Sequence, residues 1–251
     1  ALRQVRSNFV TTISSSNSLQ DSHKKSWLTE QRIEELEWNN EDAVSKYRNR
    51  YLKYLKVIGR SDAIITETKE SSLKIIQKIG NPKSNSDFFV KGLVVGSVQS
   101  GKTSNFNAVI NSCIDTGYRL IIVLSGLMED LRQQTQIRIE KEVEGKMIKE
   151  GEFIGVGKIA PYGQGDYDQV NQIIVPTSIH VDFNRNMQKQ DFNLNQVNVL
   201  ICKKNTSVLQ NLLLWLNDNL KEDAEKLNLP FIIVDDEADN ASLNNAGYKG
   251  A

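Results

Sequence analysis

Residues 96–103 have the sequence Gly-Ser-Val-Gln-Ser-Gly-Lys-Thr, which is a glycine, four further residues and then Gly-Lys-Thr. This spacing matches the pattern of a phosphate-binding loop. Glycines let the backbone turn tightly, so that successive N–H groups point at one anion. Lys102 offers a positive charge to the β- and γ-phosphates, and the Thr103 hydroxyl offers a ligand to Mg²⁺. The stretch predicts a nucleotide site with ATP and Mg²⁺ as the bound groups, formed by Gly96, Val98, Gln99, Ser100, Gly101, Lys102, Thr103 and Ser104.

The flanking sequence supplies the strand and the helix that such a loop requires. Residues 90–95 are mostly apolar and predict a buried strand running into the loop. Apolar residues then recur at the spacing of one helix face, at Phe106, Val109, Ile110, Cys113 and Ile114. Gly117 follows where a glycine commonly ends a helix. A helix placed there would direct its positive end at the bound phosphates.

A second candidate site segment lies far downstream. The run Pro230–Val234 is typical of a central parallel strand, and it is followed by Asp-Asp-Glu-Ala-Asp at residues 235–239. A carboxylate at the end of such a strand can hold Mg²⁺, and its neighbour can polarise an attacking water molecule. We assign Asp236 to the metal and Glu237 to the water, so that Lys102, Asp236 and Glu237 form the predicted catalytic set. Asp235 would replace Asp236 if the strand ended one residue earlier.

Composition places the chain among ordinary globular proteins. It has 251 residues, 39% hydrophobic and 25% charged, with 31 basic and 31 acidic side chains. The sequence contains no apolar run of membrane-spanning length and no secretory leader pattern at its start, which predicts a cytoplasmic protein without a membrane partner. The two cysteines, Cys113 and Cys202, lie in apolar patterns and are expected to be buried thiols.

Three regions follow from the pattern of the whole chain. Residues 1–26 are polar and serine-rich and predict a flexible start. Residues 27–86 predict a helical extension, with a stripe up to Gly59 and a shorter helix near Ser72–Ile79. Residues 87–251 alternate strands and helices, which predicts an α/β fold with a doubly wound parallel sheet and a ligand at the carboxyl edge of its strands. The further strands are expected at residues 119–124, 173–175 and 197–202, with helices over about 129–144 and from Thr206 or Ser207 onward.

Several blocks together resemble the Z-one domain family, which is described from prokaryotic endonucleases and belongs among the helicase-like ATPases of superfamily 2. The blocks are residues 96–103, Leu124-Ser125-Gly126 with Leu131–Arg138, Lys203-Lys204-Asn205, and Val234–Ser242. The resemblance spans about residues 27–242. It implies a RecA-like P-loop NTPase lobe that works beside a nuclease or another ATPase in restriction or antiviral defence.

The resemblance also implies roles for individual residues. The loop glycines, Lys102 and Thr103 would form motif I, and Asp236, Glu237 and Asp239 would belong to the DEAD tetrad of motif II. Residues in the position of motif Ia would meet DNA, together with a lysine after a later strand; these are Ser125, Gly126, Arg132, Arg138 and Lys203. Only 14 residues follow Glu237, so we expect the sequence to lack motif III and the second lobe, and the lobe alone to hydrolyse ATP slowly.

Three activities compete at this stage. The first is an ATPase that translocates on or remodels DNA. The second is an ATP-dependent regulatory switch or assembly module without translocation, and the third is a small-molecule phosphotransferase, which the Asp-Glu-Ala-Asp run disfavours. The sequence Glu144-Gly145-Lys146 has the form of a nuclease motif, but charged residues are common at a helix end and we do not assign catalysis there.

Overall fold

Four of the apolar segments form one parallel sheet in the computed structural model, which describes residues 12–15, 26–40, 46–95, 102–149, 152–159, 173–184, 195–220, 229–236 and 238. The described helices are α1 Glu30–Glu35, α2 Tyr47–Val57, α3 Asp62–Ile76, α4 Lys102–Thr116, α5 Glu129–Ile139 and α6 Thr206–Leu220. The described strands are β1 Thr12–Ser15, β2 Gly92–Val95, β3 Leu120–Ser125, β4 Met147–Lys149, β5 Glu152–Phe153, β6 Ile173–Ile174, β7 Val197–Lys203 and β8 Phe231–Asp235. The parallel sheet has the order β6-β7-β3-β8, with β1-β2 and β4-β5 as separate antiparallel pairs.

Side chains of the central strands alternate between two helical layers. On one face, Ile121 and Val123 of β3 belong to the same buried cluster as Ile110 and Ile114 of α4. On the other face, Leu120 and Ile122 cluster with α6 through Val208, Leu212 and Trp215. Helices therefore cover both faces of a parallel sheet, and the predicted α/β fold class is confirmed at this level.

Helix α4 begins and ends as the sequence predicts. Its apolar stripe faces the sheet and the N-terminal helices, and Gly117 follows it with a φ of 114°, in the left-handed region. The N–H of Gly117 donates to the Cys113 carbonyl at 3.1 Å, which satisfies one of the carbonyls left open at the helix end. Cys113 and Cys202 are both free thiols at 0% exposure, which confirms their prediction as buried.

The N-terminal helices cover the side of α4 that faces away from the sheet. Trp38 and Ile76 share a buried cluster with Val109 and Cys113 of α4, and Tyr51 clusters with Ala108. Residues 27–86 thus contain three helices where the sequence predicts a helical extension. In the described part of the chain, every helix falls short of the length and apolar character needed to cross a membrane.

Several local predictions differ from the structure. Helix α3 begins at Asp62 rather than near Ser72, because the Ser61 hydroxyl accepts the N–H of Ile64 and caps the helix. Helix α6 is capped by Asn205, whose side chain accepts the N–H of Val208 at 2.8 Å, and not by Thr206 or Ser207. Thr12–Ser15, within the segment predicted to be flexible, form β1 and pair with β2.

Strand β2 is exposed, where the sequence predicts a buried strand. Leu93 is 50% and Val94 40% exposed, and in the described residues β2 pairs with β1 alone. Strand β8 pairs with β3 on one side, and its Ile233 is 52% exposed. A strand is buried only when neighbours cover it on both sides, and the described ranges supply no strand between β2 and β8.

A π-helical turn, Glu140–Glu144, continues α5 and closes against the 3₁₀ turn Gly155–Lys158. Gly145 ends the turn with a φ of 71°, and a Cβ on it would lie 2.5 Å from the backbone nitrogen of Gly157. Only glycine fits there, because both the conformation and the contact exclude a side chain.

We expect Gly145→Ala to lower the free energy of unfolding by about 3 kcal/mol, from the left-handed backbone and the backbone overlap together. Gly59→Ala is the matched control, because Gly59 has a φ of 82° and open space around it. It is expected to cost about 1 kcal/mol. Urea unfolding of both variants measures the difference, and equal costs would show that the contact with Gly157 is not restrictive.

Asp115, near the end of α4, caps the N-terminus of α2, whose capped residues lie 68 and 67 residues earlier in the chain. Its two carboxylate oxygens accept the N–H groups of Tyr47 at 3.0 Å and Arg48 at 2.9 Å, in the first turn of α2. Lys46 at the N-cap position makes no side-chain cap. Burial raises the pKa of Asp115 to about 6, while these hydrogen bonds and the nearby cations oppose the shift.

The raised pKa predicts a pH dependence with a definite sign. The folded protein holds the Asp115 proton more tightly than the unfolded chain, so this contribution to stability is full below about pH 4. It is lost as the pH rises through about 6. Measured against Asp115→Asn, the wild-type free energy of unfolding should fall by at most about 3 kcal/mol between pH 4 and pH 7. Parallel curves for the two proteins would contradict this assignment.

Candidate functional site

The start of α4 and the end of β8 lie at one edge of the sheet. Residues 117–119 alone connect α4 to β3, so α4 runs back along the sheet with its N-terminus toward the carboxyl end of β3. Its 15 residues span about 22 Å, close to the length of β3. Strand β8 is parallel to β3, with Asp235 opposite Leu124. Lys102 and Asp236 are therefore at the same edge.

The loop itself lies outside the described residues. Gly96, Val98, Gln99, Ser100 and Gly101 fall between the end of β2 at Val95 and the beginning of α4 at Lys102. The described residues on either side form a strand and a helix, as the sequence predicts for these two flanks. The helix positions of Lys102, Thr103 and Ser104 are described, and the Ser104 carbonyl accepts a hydrogen bond from the Tyr51 hydroxyl at 3.2 Å.

The two aspartates at the end of β8 face opposite sides of the sheet. Ile232 and Val234 pack on the cluster that contains Ile110 and Ile114 of α4. The Asp236 N–H donates to the Leu124 carbonyl at 2.9 Å, so the strand geometry continues to this residue. Alternation then puts Asp236 on the α4 side.

Asp235, by the same alternation, lies on the α6 side. Its carboxylate pairs with the Lys204 ammonium at 2.8 Å, and the lysine side chain is 8% exposed. The geometry favours Asp236 over Asp235 as the carboxylate on the side of the sheet that α4 covers. The predicted water-activating residue Glu237 and the tetrad residue Asp239 lie outside the described residues.

The residues present fit a magnesium ion that is shared with phosphates. No group of three or more His, Cys, Asp or Glu side chains within the described ranges is arranged to hold a metal. Mg²⁺ at nucleotide sites typically takes one or two protein ligands and completes its shell with phosphate oxygens and water. One carboxylate at position 236 beside the start of α4 meets that requirement.

Helix α5 carries a buried polar stripe that the periodicity of apolar residues could not reveal. Arg132 is 0% exposed, and its guanidinium donates to the carbonyls of Ser178 at 2.8 Å and Ile179 at 2.7 Å. It also forms a 2.6 Å ion pair with Glu129. One helical turn later, Gln136 donates to the Thr177 carbonyl at 2.9 Å. The stripe therefore connects residues 177–179, which follow β6, to α5.

Two residues predicted to meet DNA, Arg132 of this stripe and Ser125 at the end of β3, are buried in the structure. The Arg132 guanidinium is buried, and its N–H groups already donate hydrogen bonds within the protein. A contact with DNA would therefore require residues 178–179 to move. Ser125 is 1% exposed, and its hydroxyl donates to the Cys202 carbonyl at 3.1 Å. Both side chains therefore stabilise the fold in this structure, because their polar atoms are satisfied internally.

The other residues predicted to contact DNA differ in their solvent exposure. Gly126 is buried, and Arg138 is half-buried on α5. Lys203 keeps 25% side-chain exposure and pairs with Glu129 at 2.7 Å, which raises the pKa of Lys203. The hydrogen bond from Arg132, followed by that from Lys203, lowers the pKa of Glu129. Burial raises the pKa of Asp182, which lies 3.7 Å from the Lys203 ammonium.

Two other sequence features have local structural roles. Phe88 packs edge-on against Tyr118 with ring centroids 6.4 Å apart, and Phe89 is 73% exposed under the Lys91 ammonium. Burial raises the pKa of Glu144 to about 7, and Lys146 pairs with Glu140 at 3.4 Å. The Glu144-Gly145-Lys146 sequence thus belongs to the π-helical turn and its packing.

Sequence reasoning missed the side chains that support the first turns of α4. The Tyr51 hydroxyl of α2 donates to the Ser104 carbonyl at 3.2 Å and lies 3.4 Å from the Glu142 carboxylate. The Asn107 amide donates to the same carboxylate. No short residue spacing in the sequence could indicate this cluster, because its members come from three separate segments.

Comparisons of the chain with protein-family models, with curated proteins and with solved structures find no match. The family resemblance therefore stays a prediction from the sequence blocks, and the site is interpreted from its own geometry.

Arg132→Lys should lower the free energy of unfolding by about 2–4 kcal/mol, because a lysine ammonium cannot reach both carbonyls and Glu129 in the planar geometry of a guanidinium. Arg138→Lys, on the same helix, is the control and should cost less than about 1 kcal/mol. Urea unfolding compares them. Equal stability of the two variants would contradict a structural role for Arg132 and would make it a candidate DNA contact again.

Proposed function

We propose that this chain is the ATP-binding lobe of a helicase-like ATPase with a RecA-like arrangement. In this proposal it couples hydrolysis of Mg²⁺-bound ATP to translocation on DNA, or remodelling of DNA, beside a nuclease in prokaryotic defence. The observation that carries the proposal is the shared sheet edge: α4 begins at Lys102 where β8 ends, and Asp236 lies on the α4 side. The adjacent parallel pairing of β3 and β8 also supports it.

Each residue has a distinct chemical task in the proposal. Lys102 binds the β- and γ-phosphates as a point charge, and backbone N–H groups at the start of α4 bind the same anion. Thr103 and Asp236 would hold Mg²⁺, and the ion would supply positive charge to the phosphates. Glu237 would orient the water that attacks the terminal phosphorus and accept its proton, while the bond from that phosphorus to the bridging oxygen breaks and ADP leaves.

One observation favours the second candidate, an ATP-dependent switch or assembly module without translocation. Arg132 and Ser125, two of the five residues predicted to meet DNA, have their polar groups buried and satisfied. A guanidinium enclosed in this way does not reach a DNA phosphate, which weakens a backbone-tracking role. Hydrolysis by the full-length polypeptide, measured with and without duplex DNA, separates the two: stimulation by DNA supports the translocase and an unchanged rate supports the switch.

The nucleotide assignment is tested by calorimetry with Mg²⁺-ADP. Lys102→Ala should abolish measurable binding, because it removes the positive charge that binds the phosphates. Asp236→Asn should weaken binding roughly tenfold to a hundredfold, the equivalent of one lost charged interaction. Asp235→Asn is the matched control and should stay within about twofold, since its carboxylate faces Lys204. Undiminished binding by Lys102→Ala would overturn the proposal, and a larger effect at Asp235 than at Asp236 would reverse the metal assignment.

A further inference from the structure

The cluster around Tyr51 joins three segments at the start of α4. Tyr51 and Asn107 are both at 0% exposure, and Glu142 lies between them on the π-helical turn. The Tyr51 hydroxyl donates to the Ser104 carbonyl, and the Asn107 amide donates to the Glu142 carboxylate. Helix α2, helix α4 and the π-helical turn are therefore connected by side-chain hydrogen bonds within the first two turns of α4.

The Ser104 carbonyl is a sensitive place to hold this helix. Ser104 follows Lys102 and Thr103 directly, in the turn whose N–H groups have no partner inside the helix. Those N–H groups point along the helix axis toward any anion bound at its end. Because a peptide unit is planar, a hydrogen bond that fixes the Ser104 carbonyl also fixes the direction of the Asn105 N–H, which belongs to the same peptide unit and to the first turn of α4.

The π-helical turn accepts hydrogen bonds from both α2 and α4. The Val143 carbonyl accepts from the Arg50 guanidinium of α2, and the Glu142 carbonyl accepts from the Asn111 amide of α4 at 3.2 Å. These carbonyls lie at a helix end, where the helix itself supplies no donor. The turn therefore presents the Glu142 carboxylate to α4 from a fixed position.

The composition of the cluster argues for positioning rather than for stability alone. The Oδ1 atoms of Asn107 and Asn111 are buried without a hydrogen-bond partner in the described structure. Each such atom costs free energy, and an apolar cluster of the same shape would avoid that cost. Directional hydrogen bonds, unlike apolar contacts, define the orientation of a backbone group. The cluster is therefore less stable than an apolar cluster of the same shape would be, but it defines the orientation of the Ser104 carbonyl.

We propose that Tyr51 and Glu142 are positioning residues for nucleotide binding, which hold the first turn of α4 so that its N–H groups and Lys102 meet the phosphates of a nucleoside diphosphate or triphosphate. The inference rests on the proposed function and assigns part of the site to the N-terminal helices. Burial, with the Glu142 charge next in importance, raises the pKa of Tyr51, so its hydroxyl stays a donor at neutral pH.

The test compares two tyrosines of the same helix by calorimetry with Mg²⁺-ADP on the full-length polypeptide. Tyr51→Phe should weaken binding roughly twofold to tenfold, the range for one neutral hydrogen bond. Tyr54→Phe, three residues from Tyr51 and also buried, should bind as the wild type does. Urea unfolding of both variants checks that the loss of affinity is not a loss of fold.

A second pair of variants keeps the test decisive if Tyr51→Phe does not fold. Glu142→Ala removes the acceptor of the Asn107 amide and should weaken Mg²⁺-ADP binding. Glu142→Gln retains an acceptor oxygen and should recover most of the affinity, a rescue that a role in overall stability alone would not produce. Wild-type protein that fails to bind Mg²⁺-ADP would overturn the proposed function. Wild-type binding with equal affinities for Tyr51→Phe and Tyr54→Phe, or for Glu142→Ala and wild type, would overturn the positioning role alone.

Discussion

Enclosure of helix α4 is the constraint on which the other features depend. Ile110 and Ile114 fasten it to the sheet, while Val109 and Cys113 fasten it to the N-terminal helices. A helix buried on both sides cannot tilt without opening a cavity, and cavities in a packed core are costly. The direction of α4, and with it the place where Lys102 begins, is therefore set by packing along the whole helix. The geometry of a nucleotide site at that end would therefore be determined by the packing of the core.

Polar groups on the same helix give the enclosure its specificity. Asp115 caps α2 from one end of α4, and Ser104 and Asn107 contact Tyr51 and Glu142 near the other. Apolar packing alone tolerates sliding and repacking, whereas these hydrogen bonds are directional and define one register between α2 and α4. The N-terminal helices consequently act as part of the α/β fold, because they contact both ends of α4.

The sequence predicted what depends on local pattern and missed what depends on distant partners. Strands β3, β7 and β8 are short apolar runs and α4 has a clear stripe ended by Gly117, so their places followed from residue spacing. The burial of Arg132 did not, because its partners are backbone carbonyls of Ser178 and Ile179, which carry no sequence signal. The choice between Asp235 and Asp236 required the pairing of β8 with β3, which sets the face of each residue. The Tyr51 cluster required three segments to meet.

Paramagnetic broadening of amide signals by Mn²⁺-ADP tests the central claim most directly, because it reports where a metal-bound nucleotide lies. The account predicts strong loss of the Ser104 and Asp236 signals. It predicts little loss at Gly117 and Phe231, which lie about 20 Å away at the opposite edge of the sheet. Broadening that centres on the opposite edge, or that spares Ser104 and Asp236 while ADP is bound, would contradict a nucleotide site between α4 and β8.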